Sequence, residues 1–90
     1  MSNDIGQKIR MIREAEGLSR EDFCLKIGVK VATLTQTEMG RRTPSSDTPL
    51  AVCQVFPQYA LWLMTGQVAP EAGQISPDLK ATQERLKTGT

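Results

Sequence analysis

Two helix-forming segments in this chain are separated by only Ile27-Gly28-Val29, and that spacing constrains the fold more than any other feature. The first segment opens at Ser19, a residue whose hydroxyl can accept from the free amides of a first helical turn. Asp22, three residues on, approximates a capping box, and Glu21 and Asp22 fall where the helix dipole favours anions. Phe23 and Ile27 share one face, and Gly28 stops the segment after barely two turns. The second segment runs from about Lys30 to Met39 and is closed by Gly40. Helices joined so tightly must meet at a steep angle, and Gly28 supplies the positive φ that such a turn demands. The spacing therefore predicts a helix-turn-helix.

The flanking residues extend the same pattern. Ile5, Ile9 and Ile12 recur at i, i+4 and i+7, so they lie on one face of a first helix over about Asp4 to Glu16. Asn3 or Asp4 is its candidate cap, Gly17 its stop, and Arg10 and Glu14 form an i, i+4 pair along it. After the turn-rich stretch Thr43 to Asp47, Thr48 is expected to cap a fourth helix with Pro49 at its first position, ending near Val55. Pro57 is expected to start a fifth helix that ends near Met64, with Gly66 just past it. From Gln67 the sequence becomes linker-like, and Ser76-Pro77-Asp78 can start a last helix over Pro77 to Lys87, either an arm or a frayed end. The organisation expected is a domain over 1–66 with a linker and tail over 67–90.

Composition agrees with an all-α fold. The chain of 90 residues is 39% hydrophobic and 4% aromatic, enough for one modest core and too short for two. No apolar run approaches the roughly 20 residues of a membrane span. Asp4, Lys8 and Arg10 interrupt the place where a signal peptide would carry its apolar stretch, so a cytoplasmic protein is expected. Cys24 and Cys53 stand far apart, and histidine is absent. Two thiols without imidazoles make a poor zinc set, so neither metal nor disulfide is expected, and the cysteines read as small buried or half-buried side chains. No acid–base histidine, glycine-rich phosphate loop or carboxylate pair points to catalysis, and no cofactor is implied.

The net charge is only +1, but its distribution is uneven. Lys26 to Arg42 holds Lys26, Lys30, Arg41 and Arg42 against Glu38, a local excess of +3, whereas Thr43 to the end carries −1. A local cationic excess around a helix-turn-helix is the footprint expected for a polyanion.

The ordered series Ile9-Arg10, Arg13, Gly17-Leu18-Ser19, Phe23-Cys24, Ile27-Gly28-Val29, Leu34, Glu38 and Gly40-Arg41-Arg42-Thr43-Pro44 resembles the Cro/C1-type (XRE) repressor family. Tyr59 to Gly66 is similar to the fifth helix of its phage and prophage members, so the likeness covers Ile5 to Gly66. The resemblance implies a compact five-helix, lambda-repressor-like domain that binds double-stranded DNA as a dimer on a palindromic operator. It implies a small residue at Cys24, a wedge at Leu34, and a structural pair between Arg13 and Glu38. Val31, Ala32, Thr33 and Gln36 take the base-facing positions, with Thr35 ranked below Thr33. Gln36 can bond bidentately to adenine, and Val31 and Ala32 can meet thymine methyls, so an A·T-containing half-site is expected. Arg20, Lys30, Arg41 and Arg42 are the candidate phosphate ligands.

Three positions depart from the family pattern. Lys30 replaces the usual Ser or Thr cap of the third helix, Thr37 an aliphatic residue, and Arg20 a frequent Gln. Weaker or rearranged packing is expected at Thr37. Helix five with Tyr59 and Trp62, or the tail over Pro77 to Lys87, could supply a homodimer surface; equally, Phe56 and Trp62 could fill the core. The alternative to a repressor is an antitoxin-like or adaptor protein that uses the same fold to hold a protein partner.

Overall fold

The computed structural model describes residues 5–41 and 47–88. The expected cap at Asn3 or Asp4, the turn residues Thr43 to Ser46 and the candidate ligand Arg42 lie outside the described residues. Six α-helices follow one another: α1 (Ile5–Ala15), α2 (Arg20–Ile27), α3 (Val31–Glu38), α4 (Asp47–Val55), α5 (Ala60–Thr65) and α6 (Pro77–Thr88). Short 3₁₀ turns occupy Pro57–Tyr59 and Pro70–Ala72, and the β structure among the described residues is an isolated Ala69–Gln74 bridge.

The core forms where the apolar faces predicted by periodicity converge. Ile9 and Ile12 from α1, Phe23 from α2, Leu34 from α3, Val52 from α4 and Leu63 from α5 are all fully buried. Phe23 stacks on Phe56 with ring centroids 5.6 Å apart and planes 9° apart, in the offset range that favours aromatic pairs. Cys24 is buried, and burial pushes its thiol pKa up. Helix α1 is the central strut, packing on α3, α4, α5 and α6.

Local chemistry sets the ends of the motif. Ser19 Oγ accepts the Asp22 amide at 3.1 Å, which satisfies one free donor of the first turn of α2. Gly28 takes φ +75°, and its amide returns to the Cys24 carbonyl at 2.8 Å. Lys30 occupies the cap of α3 without any side-chain capping bond, the consequence of its replacing a hydroxyl residue.

The region where Thr37 departs from an aliphatic residue is unusual. Thr37 is 1% exposed, and its hydroxyl has no hydrogen-bond partner. Its carbonyl lies so close to Gly6 that a Cβ on that glycine would collide with it. Gly6 therefore lets the start of α1 press against the end of α3.

Three expectations are corrected. Helix α4 already includes Asp47, so Thr48 and Pro49 lie buried within its first turn rather than at the cap and first position. Proline is tolerated there because amides of the first turn have no intrahelical acceptor. The fifth helix is split, since Pro57–Tyr59 is a 3₁₀ turn and the α-helix begins at Ala60. Tyr59 is no surface residue: it is fully buried, and its hydroxyl donates to Glu16 at 2.7 Å. Burial and that bond together push its pKa up.

The stretch after Gly66 is held down by hydrogen bonds. Gln74 accepts the Leu61 amide and donates to the Pro57 carbonyl, both at 2.9 Å, bridging the turn and the start of α5. The Ile75 amide donates to the Gln58 carbonyl at 2.9 Å. Helix α6 then docks on α1, where Lys80 Nζ donates to the Ala15 carbonyl at 3.2 Å and lies 3.9 Å from Glu16.

Candidate nucleic-acid interface

The mutual placement of α2 and α3 is held by one buried carboxylate. Glu38, with a fully buried side chain, receives two bonds from Arg13: Nε to Oε2 at 2.8 Å and Nη2 to Oε1 at 3.2 Å. Arg13 Nη1 also donates to the Leu18 carbonyl at 3.0 Å. The hydrogen bond to Glu38 raises the pKa of Arg13 further, so this cation is permanent. Arg20 adds a third bond, from its Nε to Oε1 of Glu38 at 3.1 Å. Residues from α1, α2 and α3 thus share one acceptor, which fixes the angle at which α3 leaves the body.

Sequence reasoning missed the Arg20–Glu38 contact. Nothing in local periodicity pairs residues 18 positions apart across a tight turn. The available signal was the charge balance, because a buried acid beside two cations can satisfy both.

With Leu34, Thr37 and Glu38 turned inward, α3 presents the opposite side to solvent. Ala32 and Gln36 are exposed and stand i, i+4, with exposed Met39 continuing the stripe. Val31 is 38% exposed and, with Thr35, turns toward Ser19 and Arg20 rather than along that stripe. Thr33 is half-buried. The structure thus places Ala32 and Gln36 at the crest of the helix and Val31 and Thr33 on its flanks.

Cations stand at both ends. Lys30 is exposed at the N-terminal end, whereas Arg20 lies alongside α3, lining a groove with Val31 and Thr35 and bonding Glu38, its last residue. Arg41 is exposed just past the C-terminal end, and its amide donates to the Gln36 carbonyl at 3.0 Å. Together with Gly40 at φ +73°, that bond closes α3 in a Schellman-type turn and fixes where the Arg41 side chain starts. The eight residues of α3 span about 12 Å at 1.5 Å per residue, close to the ~12 Å width of a B-DNA major groove. Geometry of this kind can place an uncharged stripe, with Gln36 as its polar member, against base edges while the ends of the helix meet phosphates. No helix among the described residues is long and apolar enough to cross a membrane, and no group of metal-ligating side chains occurs among them.

Comparison with known proteins agrees with the geometry. A helix-turn-helix family model matches residues 9–62, which takes in most of α1, all of α2 to α4 and the first half of α5. Repressor protein C of Escherichia phage P2 is 46% identical over 81 residues, covering 88% of this chain and 82% of that protein. The buried Arg13–Glu38 pair, the Gly28 turn, the exposed α3 stripe and these two matches lead to one assignment: the chain belongs to the Cro/C1-type helix-turn-helix family of DNA-binding domains.

Proposed function

We propose that this chain is a sequence-specific transcriptional repressor that binds a palindromic operator in duplex DNA as a homodimer in the cytoplasm. The observation that carries the reading is the stripe of Ala32 and Gln36, uncharged and exposed, with Lys30 at one end of α3, Arg41 at the other and Arg20 alongside. In this reading Gln36 bonds an adenine edge, and Val31, Ala32 and Thr33 supply methyl and hydroxyl contacts around it. Arg20, Lys30, Arg41 and Arg42 meet phosphates and set register rather than sequence. So few polar readers leave part of the discrimination to DNA shape and to the second half-site.

Two observations support pairing of copies. Residues 49–70 contain no charged side chain, so a two-fold contact through this region meets no like-charge repulsion. Within it Leu50, Val55, Met64 and Val68 are exposed, although Tyr59 is not.

Selection from random duplex DNA tests the proposal. The expected result is two inverted half-sites about one helical turn apart, with A·T pairs opposite Gln36. A single asymmetric site, or only G·C pairs opposite α3, would refute it. Failure to enrich any duplex, with a protein that co-purifies in fixed ratio, would instead establish the adaptor or antitoxin-like reading.

A further inference from the structure

The exposed stripe on α3 does not end at Gln36. Successive residues of an α-helix are rotated by about 100°, so Ala32, Gln36 and Met39 fall within an arc of about 60°. Leu34, Thr37 and Glu38 define the inward direction, and all three stripe residues point within about 35° of its opposite. Met39 keeps helical backbone angles at the C-cap, φ −83° and ψ −1°, so the rotation carries through to it. Its side chain is more open than that of Val31, at 50% exposure against 38%.

The point from which this side chain springs is fixed on both sides. The Met39 amide donates to the Thr35 carbonyl at 3.0 Å. Glu38, the residue before, is the buried acceptor of three hydrogen bonds from Arg13 and Arg20. Gly40, the residue after, turns the chain at φ +73°. The thioether itself is unbranched and adaptable. A fixed backbone thus sets where the contact falls, and a flexible apolar tip adjusts its fit.

Chemistry narrows what Met39 can meet. It carries no charge and no donor, so it has nothing to offer a phosphate. In the major groove the C5 methyl of thymine is the apolar group that a base pair presents. A G·C pair at the same place would bring polar edge atoms against the thioether and strand them without water.

We propose that Met39 is a further specificity-determining residue, which selects a thymine by covering its C5 methyl at the C-terminal end of α3. This inference rests on the reading of α3 as the groove helix. It adds an apolar reader about one turn past Gln36. Met39 lies about 10 Å from Ala32 along the helix axis, so the stretch read by α3 lengthens to about three base pairs.

Duplexes carrying the selected operator, with uracil in place of one thymine at a time, test the proposal, because uracil lacks only the C5 methyl. Fluorescence anisotropy should find one position, opposite the C-terminal end of α3, at which uracil weakens binding by the unsubstituted protein about fourfold, the worth of burying one methyl group. In Met39→Ala that position should lose its preference while uracil effects elsewhere persist, and Met39→Leu should keep it. Met39 is half exposed, so both variants retain the core, which thermal unfolding checks. A G·C pair selected at that position, no uracil effect there, or one equally large in Met39→Ala overturns the proposal and leaves the DNA-binding reading intact. A uniform loss of affinity in Met39→Ala on every duplex, with all uracil effects retained, would give Met39 a role other than base selection and overturns it as well. Absence of duplex binding by the unsubstituted protein overturns both.

Discussion

Replacing Arg13 with Met tests whether the Glu38 cluster holds the reading helix in place. The substitution keeps most of the aliphatic stem and removes the charge, so it isolates the electrostatic role. Glu38 has no solvent exposure, and a buried charge deprived of its partner costs about 3–5 kcal/mol. Arg20 remains 3.1 Å away, which places the expected cost near the lower end, at about 3 kcal/mol. Loss of the bond from Nη1 to the Leu18 carbonyl adds about 1 kcal/mol. A chain of 90 residues has roughly 5–13 kcal/mol in total, so Arg13→Met should forfeit a third or more of it.

Urea unfolding followed by circular dichroism measures the loss, with thermal unfolding as a second readout at roughly 4–8 °C per kcal/mol. The double variant Arg13→Met, Glu38→Met completes a cycle. It should recover to within about 1 kcal/mol of the unsubstituted protein, because replacing both partners strands no charge. Arg20 is 36% exposed and can return to water when Glu38 is gone. A cost below about 1 kcal/mol for Arg13→Met, additive with Glu38→Met, would refute the reasoning.

Three other expectations follow from residues outside that cluster. Gly6→Ala should destabilise by about 2 kcal/mol in spite of alanine's better helix propensity, since the new methyl meets the Thr37 carbonyl, and equilibrium unfolding checks the sign. Thr37→Val should stabilise by about 1 kcal/mol in the same assay, as it removes a buried hydroxyl without a partner. Tyr59→Phe should cost about 1.5 kcal/mol at neutral pH by losing the bond to Glu16. Its pH dependence has a definite sign: the folded-state pKa is raised above the ordinary 10.0, so the phenol's contribution is complete below pH 10 and is lost as pH rises through the folded-state value. The gap between Tyr59→Phe and the unsubstituted protein should therefore narrow above pH 10. A gap that widens there would contradict the assignment.

Features that depend on a few neighbouring residues were legible in the sequence. Gly17, Gly28 and Gly66 take positive φ just past the helices they close, because that demand is met within one turn. Ser19 caps α2 for the same local reason. Leu34 and Cys24 lie buried where the family pattern put them. Contacts that cross the chain were not legible. Arg20 read as a candidate phosphate ligand with no protein partner, because the angle that brings it to Glu38 is a property of the folded turn. Gly6 carried no local signal, since only the arrival of Thr37 from α3 requires a glycine there. Thr48 looked like a cap from its hydroxyl and the following proline, yet its burial in the first turn reflects packing of α4 on its neighbours. At the interface, residue types were legible and orientation was not. The i, i+4 stripe places Ala32 with Gln36, whereas the flank position of Val31 depends on where Arg20 stands.

The double bond made by Gln74 has a consequence for the order of events during synthesis. The amide of Leu61 is satisfied by a side chain that follows it by 13 positions. A ribosome releases the chain from its N-terminus, and α5 is therefore complete in sequence well before its partner has emerged. During that interval Leu63 and Tyr59 have α1 and α4 to bury against, but the start of α5 has only water. The helix that carries the uncharged surface thus acquires its final anchoring after the DNA-reading half is already in place. That uncharged face therefore takes its final form only once residue 74 has left the tunnel.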